Sequence, residues 1–142
     1  MEKNNKEEKE ITFMLYNYPN IDKLIEKRRR ELLDEINVGS EAWKKSKTSL
    51  IGYTLEDIVE RIDDDYLINR LRDWDIVLEQ LVADISDNDL LYAFFDNKYF
   101  QRKSSRETMS KLHIDLDKYK NLDSILKHHL YKLCRRENIF AY

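Results

Sequence analysis

The chain has 142 residues, a formal net charge of −3, 37% charged residues and 42% in the hydrophobic set. Nine tyrosines, five phenylalanines and two tryptophans are too many large apolar groups for a disordered chain. Two isolated glycines (Gly39, Gly52) and a single proline (Pro19) exclude an all-β chain and a glycine-rich phosphate loop.

In chain order, residues 1–10 are dense in charge and read as a disordered arm. They lack the apolar stretch of a signal peptide. Pro19 and Asn20 then open a helix, with Asn20 placed to cap it. Ile21, Leu24, Ile25, Arg28, Leu32 and Ile36 fall near one stripe. Lys27–Arg30 is a run of four cations, which reads as a solvated face or a secondary DNA patch. The helix is expected to end at Asn37–Gly39, where Gly39 suits a left-handed C-cap. A loop over 40–53 follows, with Trp43 as an anchor and Lys44, Lys45 and Lys47 exposed.

Thr54-Leu55-Glu56-Asp57 has a hydroxyl followed by a carboxylate three positions on, a capping box. Leu55, Ile58, Val59 and Ile62 continue at helical spacing. Asp63-Asp64-Asp65 stops this helix or caps the next. Leu67, Leu71, Trp74, Leu78, Leu81 and Ile85 then alternate by four and three. Such a seam closes an intramolecular hairpin, or a homodimer through Leu67, Leu71, Trp74, Leu78 and Leu81.

Ser86-Asp87-Asn88-Asp89 starts an apolar helix with Leu90, Leu91, Phe94 and Phe95. Ser104-Ser105-Arg106-Glu107 starts a second, which carries Met109 and Leu112 and stops near His113. Asp115 caps the last helix, with Tyr119, Leu122, Leu126, Leu130 and Leu133 on one face. The expectation is an all-α fold of five or six helices. It is a helical hairpin or bundle with a C-terminal tri-helical helix-turn-helix unit. Residues 11–85 form its helical N-terminal region and 86–142 the helix-turn-helix region.

Charge is distributed unevenly. Residues 52–97 hold 3 basic and 13 acidic groups, whereas residues 98–142 hold 11 basic and 5 acidic. The overall pI of 5.7 argues against nucleic acid. Counterion release depends on the local patch that faces phosphate, and the C-terminal segment is such a patch. The turn from Leu112 to Asp115 is short enough for a helix-turn-helix. Met109 and Leu112 are expected to pack on the last helix. Leu116, Lys118, Lys120, Asn121 and Ser124 are left facing away from Tyr119 and Leu122. The candidate DNA contacts are Arg102, Lys103, Arg106, Lys111, Lys118, Lys120, Asn121 and Lys127. The cations serve phosphates, and Asn121 can bond an adenine edge.

The stretch Asp89–Phe100, then Ser105–Asp115, then a helix ending Leu130-Tyr131-Lys132-Leu133, resembles sigma-factor region 4. More closely, it resembles the phage late-transcription regulators of the RinA and ArpU type. Those open with a tyrosine-rich strip and a charged helix, here Leu15–Pro19 and Ile21–Ile36. The resemblance implies a phage- or prophage-encoded transcription regulator from a low-GC bacterium, contacting promoter DNA and RNA polymerase. Where that pattern usually has a small residue after the acidic one, the chain has Thr108-Met109-Ser110, and it departs at Met109, bulky where the helices cross. It also departs at Asp117 and Asp123, carboxylates close to where phosphates would lie.

Other constellations carry less. Cys134 is the only cysteine, so no intramolecular disulfide forms. Neither His128 and His129 nor Asp84, Asp87 and Asp89 have metal-ligand spacing, so no metal and no cofactor are expected. No nucleophile, base and orienting group stand in register, so no enzyme is expected. No membrane partner and a cytoplasmic location are expected, because no run nears the roughly 18 apolar residues of a membrane span. The acidic middle and the aspartates of the last helix motivate a second class, a protein-interaction module on the same fold. An anti-repressor, an inhibitor of a host factor or a small terminase-like packaging subunit would fit. The apolar tail Ile139-Phe140-Ala141-Tyr142 either packs back or meets a partner.

Overall fold

The structure, a computed structural model, describes residues 2–46 and 55–140, and side chains over 6–35 and 56–140. Its helices are α1 (Glu2–Asn17), α2 (Ile21–Ser46), α3 (Leu55–Asp63), α4 (Tyr66–Ile85), α5 (Asp89–Phe95), α6 (Ser105–Leu112) and α7 (Leu116–Arg136). A 3₁₀ turn, Tyr18–Asn20, links α1 to α2, and a π-helical turn, Asp96–Phe100, extends α5. No strand occurs among the described residues, so the all-α expectation is met.

The count exceeds five or six because the expected disordered arm is helical. Glu7, Ile11, Met14 and Leu15 are buried on one stripe of α1. Glu7 accepts a hydrogen bond from the Tyr131 hydroxyl at 2.5 Å, and Glu10 accepts one from the Trp74 indole at 3.2 Å. The stripe begins with carboxylates that have partners, so hydrophobicity alone does not reveal it. A second correction concerns α2, which runs through Gly39 to Ser46. One interior glycine costs about 1 kcal/mol and is no stop by itself. Trp43, Lys44 and Lys45 therefore lie in helix and not in the expected loop over 40–53, while Lys47 and Thr54 lie outside the described residues.

The chain divides into two units: Met1–Asn20 with Asp73–Tyr142, and Ile21–Arg72. The cut falls at 20/21 and 72/73, not at 85/86. In the second unit, Ile21, Ile25 and Leu32 of α2 and Ile68 and Leu71 of α4 are buried. Arg28 grips Asp65 with two nitrogens, at 3.1 and 2.9 Å. Asp65 also accepts from the Ile68 backbone at 3.1 Å, capping α4. The Arg28 hydrogen bonds hold the Asp65 carboxyl below its ordinary range, although burial works against them. The neighbouring cations are also matched, Arg29 and Arg30 by Glu26. Glu26 is shared by those two, and Lys27 is exposed, so the expected secondary DNA patch at Lys27–Arg30 is only partly neutralised.

In the first unit, Trp74, Val77, Leu78, Leu81 and Ile85 of α4 join Leu91, Phe94, Phe95, Tyr99, Leu122, Leu126, Leu130 and Leu133 in the core. The α4 seam is thus internal, and the homodimer through it is corrected. Leu71, Trp74, Leu78 and Leu81 are buried within the chain, while Leu67 is exposed and Ile68 takes the inward place. The apolar tail packs back. Ile139 is buried, and the Phe140 ring lies 6.0 Å from Trp74 and 5.8 Å from Tyr131. Ala141 and Tyr142 lie outside the described residues.

Asp65 combines a cap with a two-pronged ion pair. Asp65→Ala should lower stability by about 2 kcal/mol in urea unfolding. Asp64→Ala, at an exposed neighbour, should change it by less than about 0.5 kcal/mol. Equal effects at the two positions would contradict this account.

Candidate nucleic-acid interface

The C-terminal helices end and begin as local chemistry requires. Asn88 caps α5 by accepting from the Leu91 backbone at 3.1 Å. Ser104 caps α6 at Glu107 (3.2 Å), and Asp115 caps α7 at Lys118 (2.7 Å). His113 closes α6 in the left-handed region, with φ 55°, and the Ile114 N–H reaches the Met109 carbonyl at 3.1 Å. Only His113, Ile114 and Asp115 separate α6 from α7.

The packing of α6 differs from expectation. Met109 and Leu112 are half-buried, whereas Thr108 is completely buried. Thr108 is the small residue after the acidic Glu107. Its hydroxyl has no hydrogen-bond partner, the one such buried side-chain atom among the described residues. A short β-branched side chain permits close approach at the cost of that unmade bond.

Asp123 is the centre of the electrostatics. Its Oδ1 accepts from the Tyr99 hydroxyl and from Lys98 Nζ, the latter at 3.0 Å. Its Oδ2 accepts from Lys127 Nζ at 3.1 Å. Lys98 sits on the π-helical turn among three rings, 4.9 Å from the centroids of Tyr99 and Tyr119 and 5.7 Å from that of Phe94. Burial alone would raise the Asp123 carboxyl. The Tyr99 and Lys98 hydrogen bonds and the charges of Lys98 and Lys127 outweigh it and hold the group below its ordinary value. Burial and the same carboxylate push the Tyr99 phenol well up. The expected repulsion between Asp123 and phosphate is corrected, because this carboxylate turns inward and is matched by two ammonium groups. Asp117 does stand exposed on the first turn of α7.

The eight candidate contacts separate into two groups. Arg102 donates to the Tyr16 carbonyl at 3.0 Å, Lys103 to the Asn97 side chain at 2.9 Å, and Lys127 to Asp123. These three help build the fold. Arg106, Lys111, Lys118, Lys120 and Asn121 are exposed on α6 and α7. Their side chains make no hydrogen bond or ion pair among the described residues. Lys98, Tyr99 and Tyr119 were not legible as site residues, since their convergence on Asp123 is tertiary. The one local signal was the four-residue spacing of Asp123 and Lys127.

A groove of about 580 Å³ runs between α1 and α7, with Glu7, Glu8 and Ile11 on one wall and Lys120, Ser124 and His128 among the residues opposite. His129 pairs with Asp84 at 2.8 Å, which directs it away from His128. Among the described residues, no three His, Cys, Asp or Glu side chains gather as metal ligands would. No described helix is long and apolar enough to cross a membrane. Comparison of the chain with protein-family models, with curated proteins and with solved structures finds no match.

The Asp123 arrangement has a pH consequence. Its folded pKa lies below the unfolded value of about 3.9, so its stabilisation is complete above about pH 4. That contribution is lost as pH falls through the folded value. Acid unfolding of the wild type below about pH 4 should be steeper than that of Asp123→Asn. Parallel stability curves for the two proteins would contradict this.

Proposed function

We propose that the chain is a DNA-binding transcription regulator that uses α6, the short turn and α7 as a helix-turn-helix. One observation carries the reading. Arg106, Lys111, Lys118 and Lys120 stand exposed around that turn with no ion pair among the described residues, while Asp123 is turned inward and neutralised. Four cations without partners among the described residues are available for phosphates, and Asn121 stands exposed among them on α7. The resemblance to phage late-transcription regulators fits this role. A contact with RNA polymerase belongs to the same proposal.

A second reading is supported by α3. Glu56, Asp57, Glu60 and Asp63 are exposed there around an exposed Val59, with Asp64 exposed just past its end. A protein-interaction module, such as an anti-repressor, a host-factor inhibitor or a terminase-like subunit, would present such a face to a basic partner.

Mobility shift on duplex DNA from the chain's own upstream region, across a salt series, separates the two. The DNA reading predicts specific retardation and a steep salt dependence. Replacing Arg106, Lys111, Lys118 and Lys120 with Ala should reduce the log–log salt slope by about three to four units, while the helical content stays unchanged. No retardation at low salt favours the interaction module. Retardation with an unchanged slope in the quadruple variant removes this site.

A further inference from the structure

Beyond the phosphate contacts, α7 presents a stripe that needs a different explanation. Leu122 and Leu126 are 4% and 0% exposed, but Ile125 between them is 46% exposed. Positions four before and three after Ile125 are Asn121 and His128, both exposed. Seven before and seven after are Lys118 and Lys132, also exposed. Residues at these spacings share one helix face. An exposed isoleucine is a poorer helix former than the lysine or glutamate usual on a solvated face, and it gains little burial here. The face is therefore apolar at its centre, amide-bearing beside it, and cationic at both ends.

We infer that Ile125 and Asn121 together read adjacent A·T pairs, with Ile125 seated on the C5-methyl of thymine. This rests on the DNA reading above and adds the base chemistry to it. In the major groove, adenine offers an acceptor and a donor that match an Asn amide, and thymine offers a methyl that matches an apolar side chain. Charge selects the occupant. Lys118 and Lys132 bracket the stripe, and no carboxylate lies on the line through Lys118, Asn121, Ile125 and Lys132, although Asp117 stands beside it. The flank suits a polyanion, and the centre suits the one methyl-bearing base of DNA. Ile125 is thereby a specificity-determining residue, while Lys118 holds the register.

The experiment uses the full chain and a random duplex pool. Bound duplexes are selected, and in the recovered sequence each thymine is replaced in turn by deoxyuridine, which deletes only the methyl. One such replacement should weaken wild-type binding about fourfold, the worth of one methyl removed from water. Ile125→Ala, a change at an exposed position, should bind the recovered sequence but ignore that replacement. Asn121→Ala should keep the uracil sensitivity and lose the preference for the neighbouring adenine. Wild-type binding that ignores every uracil replacement overturns this inference and leaves the DNA reading standing. The same holds if Ile125→Ala keeps full uracil sensitivity. Recovery without any sequence preference also overturns the inference, and failure to retain any duplex at low salt overturns both.

Discussion

The carboxylate of Asp123 is the constraint on which the C-terminal architecture turns. It is largely withdrawn from water, with its side chain 17% exposed, and a charge so placed must be matched by donors. Tyr99, Lys98 and Lys127 supply them from the π-helical turn and from α7 itself. Lys98 is held in turn by three aromatic rings. Rotation of α7 about its axis would part Asp123 from Lys98 and lift Leu126 and Leu130 out of the core. The azimuth of α7 is thus set twice, by apolar packing and by a saturated ion cluster. The outward direction of Asn121 and Ile125 follows from that setting.

The same cluster changes how the charge pattern is read. A run of acidic or basic letters is a statement about net charge, whereas a phosphate responds to the field outside the fold. Lys27–Arg30 looks like a basic patch, yet Asp65, Glu26 and Glu31 consume part of it. Asp123 looks like an obstacle in the last helix, yet it is spent on Lys98 and Lys127. Arg106, Lys111, Lys118 and Lys120 are less conspicuous in the sequence but make no ion pair among the described residues, although Glu107, Asp115 and Asp117 stand exposed near them. The basic surface of the folded chain is narrower and better defined than the composition of residues 98–142 suggests.

Local rules made much of the fold legible. Ser104 and Asp115 cap the helices they were expected to cap, Asn88 caps α5, and the α4 periodicity identifies a buried seam. Each depends on neighbours a few positions away. What was not legible required distant partners. The inward face of α1 begins at Glu7, whose acceptor matches a hydroxyl 124 positions later. Thr108 is core because α6 is short and approached closely, which no window of sequence encodes. Lys98 is drawn inward by an aspartate on another helix. For the candidate interface, the exposed lysines and Asn121 were legible from helical phase. The dismissal of Asp123 as a contact was not.

A double-mutant cycle between Lys98 and Asp123, read as stability in urea at neutral pH, tests the central claim most directly. Lys98→Met keeps the length of the side chain, and Asp123→Asn keeps its shape. If the two groups set α7 through their ion pair, Lys98→Met is costly in the wild type and much less so beside Asp123→Asn. The coupling energy should then be about 1–3 kcal/mol. Losses that add to within about 0.5 kcal/mol would mean that the charges do not hold α7, and would contradict the account.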